Sequence, residues 1–193
     1  MIPLWVKIGY TVMAVGVAVI YWYRYGPQNF LWFSDIALFG MVAGLWLESA
    51  LIASVLTAAV LLPELLWNAS FFGRLLSGRS VSGLADYMFE KERPLWLRGV
   101  SLFHIPLLVV LVWAVWRLGY RTDALPYVIG IGWIVLPLSY LLTDPERNIN
   151  WVHGFGPTRH RPWHPLAHLG ISMVGFPVLV FLPGHWFLTW AFG

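Results

Sequence analysis

Residues 50–67, ALIASVLTAAVLLPELLW, decide the fold class. The run is apolar apart from small hydroxyls and one carboxylate, Glu64, three residues before its end. A helix rises ~1.5 Å per residue, and about 20 apolar residues cross the hydrocarbon core of a bilayer. The segment therefore predicts a membrane-spanning helix. Upstream, Glu48-Ser49 makes a tight turn to a second apolar run, from about Phe30 to Leu47. Gly26-Pro27-Gln28-Asn29 separates that run from a first, from about Leu4 to Tyr23. The first run resembles a signal peptide only superficially. It has no basic stretch before it beyond Lys7 and no small-x-small cleavage site after it, and it ends in the interfacial anchor Tyr21-Trp22-Tyr23-Arg24.

Downstream, a polar stretch covers residues 68–98. Further spans are expected at about 99–116, 125–142 and 166–181. After Pro183-Gly184, an aromatic tail from His185 to Phe192 lies at the interface or completes the last span. Within the polar stretch, Phe71, Phe72, Leu75 and Leu76 have helical spacing, and Leu84, Tyr87, Met88 and Phe89 repeat the theme. Both predict short amphipathic segments on the membrane surface, covering the bundle or forming a lid. The expected architecture is one all-α domain over residues 1–193, a polytopic transmembrane bundle of about six spans.

Composition agrees. The chain is 59% hydrophobic and 11% charged, against roughly 25% charged in a soluble domain. Mean hydropathy is +0.71. With no cysteine, disulfides and thiolate metal sites are excluded. The net charge of +3 comes from loop Arg and Lys too few and scattered for a nucleic-acid surface. Nine of the basic residues (Arg24, Arg74, Arg79, Lys91, Arg93, Arg98, Arg147, Arg159 and Arg161) fall on one side of the six-span frame, and Lys7, Arg117 and Arg121 fall on the other. The positive-inside rule then places the loop-rich side in the cytoplasm of a bacterial inner membrane, with both termini outside it. Tryptophans form a belt at each interface, except Trp133, which lies mid-span.

The polar groups gather at the loop-rich side. Asp35 and His104 each sit about five residues into their spans, roughly 8 Å deep, and Glu64 is roughly 5 Å deep. Carboxylates and histidines inside a membrane are expensive and point to function. No Lys or Arg shares their depth, so Asp35 and Glu64 are expected to pair with His104 or a metal, or to stay protonated. Ser101 and His104 are i,i+3, and Glu64 and Asn68 are i,i+4, so each pair shares a helix face. His164 and His168 are i,i+4, and Pro165 suits a first helical turn, which makes His164 a candidate N-cap. His160 belongs to the loop, as do Asn148, Asn150 and His153, whose density predicts an ordered polar cap over the site.

The stretches YGPQNFLWFSD, residues 25–35, and TDPERNINWV, residues 143–152, resemble a family of small uncharacterised bacterial polytopic membrane proteins. That likeness supports the topology and implies no activity. In parts, the chain is also similar to the alkaline-ceramidase group of membrane hydrolases, which place a Ser and a His on one helix, an Asp elsewhere, and a His-x-x-x-His around a zinc-bound water. The resemblance implies metal ligation by His104, His164 and His168, with Asp35 as the acid. The chain departs from that pattern: Ser101 and His104 are three apart where that family has four, and Asp35 precedes them.

Two functional expectations follow. One is metal-assisted hydrolysis or transfer on a membrane lipid. There a divalent ion such as zinc is held by His104, His164 and His168, Asp35 or Glu64 acts as ligand or general base, and Ser101 orients the water or oxyanion. The other is an accessory subunit that holds a cofactor, pigment or lipid within a larger membrane complex.

Overall fold

The computed structural model describes residues 1–156 and 159–193, and these form a bundle of six helices. They are α1 (Leu4–Tyr25), α2 (Phe33–Trp46), α3 (Ala50–Ser77), α4 (Leu95–Leu118), α5 (Ala124–Leu142) and α6 (Pro165–Phe192). Five are long and apolar enough to cross a membrane, and the chain is a multi-pass membrane protein. Only α2 falls short, at 14 residues. A 3-10 turn over Pro27–Leu31 precedes it. Its far end is tied to the start of α1, where Lys7 Nζ reaches Glu48 Oε1 at 2.8 Å and Trp46 Nε1 donates to Thr11 Oγ1 at 3.0 Å. Turn and helix together therefore match the height of α1. The chain ends meet the same end of the bundle, where the Phe192 carbonyl accepts from Tyr120 N beside the α4–α5 turn.

The axis of the bundle is α3, whose residues from Ala53 to Leu61 are all buried. Ser49 caps it, accepting from Ile52 N, and Gly78 ends it at φ 71°, a left-handed conformation glycine adopts freely. Small side chains let neighbours come close: a Cβ on Gly184 of α6 would lie 3.2 Å from the Ala58 carbonyl.

Three boundaries differ from expectation. Nothing between Trp67 and Gly78 breaks a helix, so α3 runs on through Phe71, Phe72, Leu75 and Leu76, which are its last turns and not a separate surface segment. At 28 residues α3 is ~42 Å long and overruns a ~30 Å core. The stretch after it folds back along this overhang. Arg74 Nη1 meets Asp86 Oδ1 at 2.6 Å, Ala85 N donates to Ser70 Oγ, and Met88 packs with Trp67 and Phe71. The helix α4 begins earlier than expected, at Leu95, and tightens to 3-10 over Ser101–Phe103. The sixth helix passes through Pro183-Gly184 to Phe192, so the aromatic tail completes the span, with a π-turn over Pro177–Phe181.

That π-turn region accounts for Trp133. Pro177 has no N–H to offer the Met173 carbonyl four residues back. Trp133 Nε1, on α5, donates to that carbonyl at 2.9 Å. A mid-membrane carbonyl is thereby satisfied from a neighbouring helix, as a hydrocarbon medium requires.

Candidate functional site

Glu64 is held at the loop-rich end by the rigid middle of α3, with Trp67 and Asn68 one turn further on. The start of α4 brings His104 to it. Nδ1 of His104 lies 2.9 Å from Glu64 Oε2 and 3.1 Å from Oε1. The imidazole is stacked between two aromatic rings, Trp67 at 4.3 Å and Phe103 at 4.2 Å between centroids. Asn68 Nδ2 donates to the carbonyls of Glu64 and His104, tying the two helices at this level. Trp67 Nε1 donates to the Tyr87 hydroxyl, so the folded-back loop is fastened to the same stack. Glu64 is 2% exposed at its side chain and His104 12%.

The ring of His104 is thus gripped on both faces and at one nitrogen. Nε2 makes no hydrogen bond among the described residues and is not sealed from the surface. With Glu64 ionised, Nδ1–H donates to the carboxylate and Nε2 carries a lone pair. A carboxylate that fixes the tautomer of a histidine with a free second nitrogen is the arrangement of a general base.

Asp35 lies in the first turn of α2, where the helix N-terminus favours a carboxylate. It is buried, its Oδ2 accepts from Asn29 Nδ2 at 2.8 Å, and its Oδ1 is buried without a partner among the described residues. Ser101 does not join His104. Its Oγ pairs with the Tyr21 hydroxyl at 2.9 Å, linking α4 to α1. Tyr21 is therefore a buried inward-facing residue, unlike its exposed neighbours Trp22, Tyr23 and Arg24, and the interfacial anchor loses its first member.

The expected histidine triad is not assembled. Among the described residues, no three His, Asp or Glu side chains come together to hold a metal. His164 is exposed and caps α6, its Nδ1 accepting from Leu166 N at 3.3 Å. His168, one turn on, is fully buried and its Nε2 donates to the Trp151 carbonyl at 2.9 Å. His104 is engaged by Glu64. Two of the three rings are thus spent on helix capping and loop anchoring, so this donor set does not fit zinc.

The loop after α5 is ordered by asparagines. Asn148 and Asn150 have φ near 47° and 51°, left-handed values that Asn tolerates better than most residues. Asn150 binds Leu31 O, Ser139 Oγ and Phe33 N, and so supplies the start of α2 with an acceptor from a distant loop. Asn148 binds the carbonyls of Gly154 and Gly156 and the amide of His153. This positions the His153 ring against Tyr140, 4.9 Å between centroids. Burial, then the charges of Arg161 and Arg159, hold His153 below the ordinary histidine pKa.

Sequence reasoning missed Trp67, Phe103, Tyr21 and Asn29. Trp67 is i+3 from Glu64 and Phe103 adjoins His104, so both were within reach of helix-face spacing. Tyr21 and Asn29 contact the site through tertiary packing that spacing does not encode. Compared with known protein families, with curated proteins and with solved structures, the chain gives no match.

Proposed function

We propose that this chain is a membrane-embedded acid–base enzyme acting on a lipid-like substrate near the cytoplasmic leaflet, by hydrolysis or group transfer. The observation that carries this reading is the Glu64–His104 dyad: a carboxylate bonded to Nδ1, the ring fixed between Trp67 and Phe103, and Nε2 unbonded. Nε2 takes a proton from a water or substrate hydroxyl as its oxygen attacks an ester, amide or phosphoryl centre. Glu64 stabilises the imidazolium so formed, and Nε2 then returns the proton to the leaving oxygen or nitrogen. Asp35 supports this reading as a second buried carboxylate whose Oδ1 has no partner among the described residues, and we assign it the role of orienting a polar substrate group. Ser101, bonded to Tyr21, holds α4 in place and is a positioning residue.

The excess of basic residues at the loop-rich end supports a cytoplasmic location for the site in a bacterial inner membrane, with both termini on the opposite side. A periplasm-active reporter fused after Gly193 is expected to work, and a signal from a cytoplasm-active one rejects this orientation.

The activity is tested by placing the purified protein in nanodiscs made from a total bacterial lipid extract and following every lipid class by mass spectrometry. The expected result is loss of one class with gain of its cleaved or transferred product, absent from His104→Gln. If no class changes more with the wild type than with His104→Gln, the reading is wrong.

A further inference from the structure

A second concentration of chemistry lies away from the dyad, in the ordered loop between α5 and α6. Tyr140, Pro145, His153, Arg159, Arg161 and Pro165 line a pocket of about 670 Å³ at the loop-rich surface. Arg159 and Arg161 bring two guanidinium groups to it. Neither pairs with a carboxylate among the described residues, where the ion pairs use the amine of Met1, Lys7, Arg74, Arg93, His104 and Arg121. Their recorded bonds are to backbone carbonyls, Arg159 to Pro145 and Arg161 to His153. Both charges bear on the His153 ring, and Asp144 acts in the opposite sense. In the same wall, His153 Nε2 is buried without a partner among the described residues.

Like charges held together around an unpartnered donor or acceptor raise the energy of the pocket unless an anion enters it. Guanidinium forks match the oxygens of a phosphoryl group, and a histidine nitrogen adds a third contact. The loop that carries these groups is not loose: Asn148 fastens it through three bonds, and Phe155 and His160 bridge across the turn. Trp163 and Leu166, close in the chain to the lining residues Arg161 and Pro165, are both exposed, as side chains that anchor at a membrane interface are. We infer that this pocket is a phosphoryl-binding site in which Arg159, Arg161 and His153 receive the anion. The inference stands on its own observations and does not depend on the dyad.

Phosphoryl groups reach such a pocket from a lipid headgroup or from free phosphate, and binding measurements separate the two. The full chain in dodecyl maltoside is titrated calorimetrically with inorganic phosphate, with dioctanoyl phosphatidic acid, and with dioctanoyl glycerol as the phosphate-free control. Saturable binding of either phosphoryl probe, with none of the glyceride, is expected. Binding of the acid alone identifies a headgroup site, and binding of phosphate identifies a site open to the free anion. Arg159→Gln and Arg161→Gln should each weaken it about tenfold or more, and Arg24→Gln should not. Should either variant misfold, the wild type still decides. The bound probe is expected to protect Arg159 and Arg161, but not Arg24, from an arginine-directed dicarbonyl. Absence of saturable binding by both probes, binding indifferent to the variants, or protection confined to other arginines overturns the inference.

Discussion

Glu64 and His104 meet across the α3–α4 contact, with one imidazole nitrogen shared between both carboxylate oxygens at 2.9 and 3.1 Å. A buried pair of this kind is costly to break from one side, because the remaining partner keeps its desolvation penalty without its compensation. Glu64→Leu is expected to destabilise the bundle by about 3–5 kcal/mol. Glu64→Gln should cost less, since the amide oxygen still accepts from Nδ1–H. Combining Glu64→Leu with His104→Phe should cost less than the sum of the singles. Denaturant unfolding in detergent checks this, and additive losses would show that the two residues act independently.

Asp35 invites the opposite expectation. Its carboxylate has one bonded oxygen and one stranded one, so the charge is poorly satisfied in the fold. Asp35→Asn keeps the shape, removes the charge and retains an oxygen for Asn29. Thermal stability should hold or rise, while turnover by the reconstituted protein should fall. A variant that unfolds more easily yet remains fully active would make Asp35 a structural residue only.

Phe181 fills the space above Gly132, where an added Cβ would lie 2.7 Å from the ring. The ring is fully buried and touches Phe33 at 5.8 Å and Phe176 at 6.0 Å between centroids, so it has nowhere to move. Gly132→Ala should cost about 1–3 kcal/mol by overpacking. Adding Phe181→Leu should recover part of that loss, which a melting comparison of the single and double variants reads directly. Equal stability of Gly132→Ala and the wild type would mean that α5 and α6 slide apart freely.

His153 gives the fold a dependence on acid. Burial, reinforced by Arg161 and Arg159, lowers its pKa in the folded state. The unfolded chain therefore binds a proton first, at about pH 6.5, and the folded chain binds it only at lower pH. The stabilising contribution is complete above that value and is lost as pH falls from about 6.5 towards the depressed folded pKa. His153→Gln should flatten this part of the curve of unfolding midpoint against pH. An unchanged curve would assign the acid sensitivity to other groups.

The six-helix plan was legible because lipid imposes a simple rule on sequence: long apolar runs, broken by Gly26-Pro27, Glu48-Ser49, and the two polar loops. The meeting of Glu64 with His104 was legible from relative depth: each lies a few residues inside the same end of its expected span, and both helices run on past that end, α3 to Ser77 and α4 from Leu95, so the match is kept. What spacing could not give was partner choice. His164 and His168 share a helix face, yet one accepts from a backbone amide and the other donates to a loop carbonyl. The cap at His164 is local and follows from Pro165 opening the helix; the partner of His168 is set by how residues 148–156 fold, and two left-handed asparagines govern that. Trp133 was opaque for a related reason. Its explanation is a carbonyl stripped by Pro177 on another helix, 44 positions away in the chain.

The wide turn at Pro177–Phe181 has a geometric consequence for the last helix. An α-helix returns to the same azimuth after about seven residues, and a single π-turn adds one residue to that count, rotating everything beyond it by roughly 100°. The first half of α6 turns His168 and Ser172 inward, and the second half turns Phe181, Gly184 and Leu188 inward. These two sets do not share one straight stripe on an undisturbed helix. The extra residue turns the second set towards the first, from nearly opposite sides of the helix to adjoining ones. A chain lacking one residue between Phe176 and Phe181 would keep its helix and its hydropathy, yet swing Gly184 off Ala58 and Leu188 out of the core.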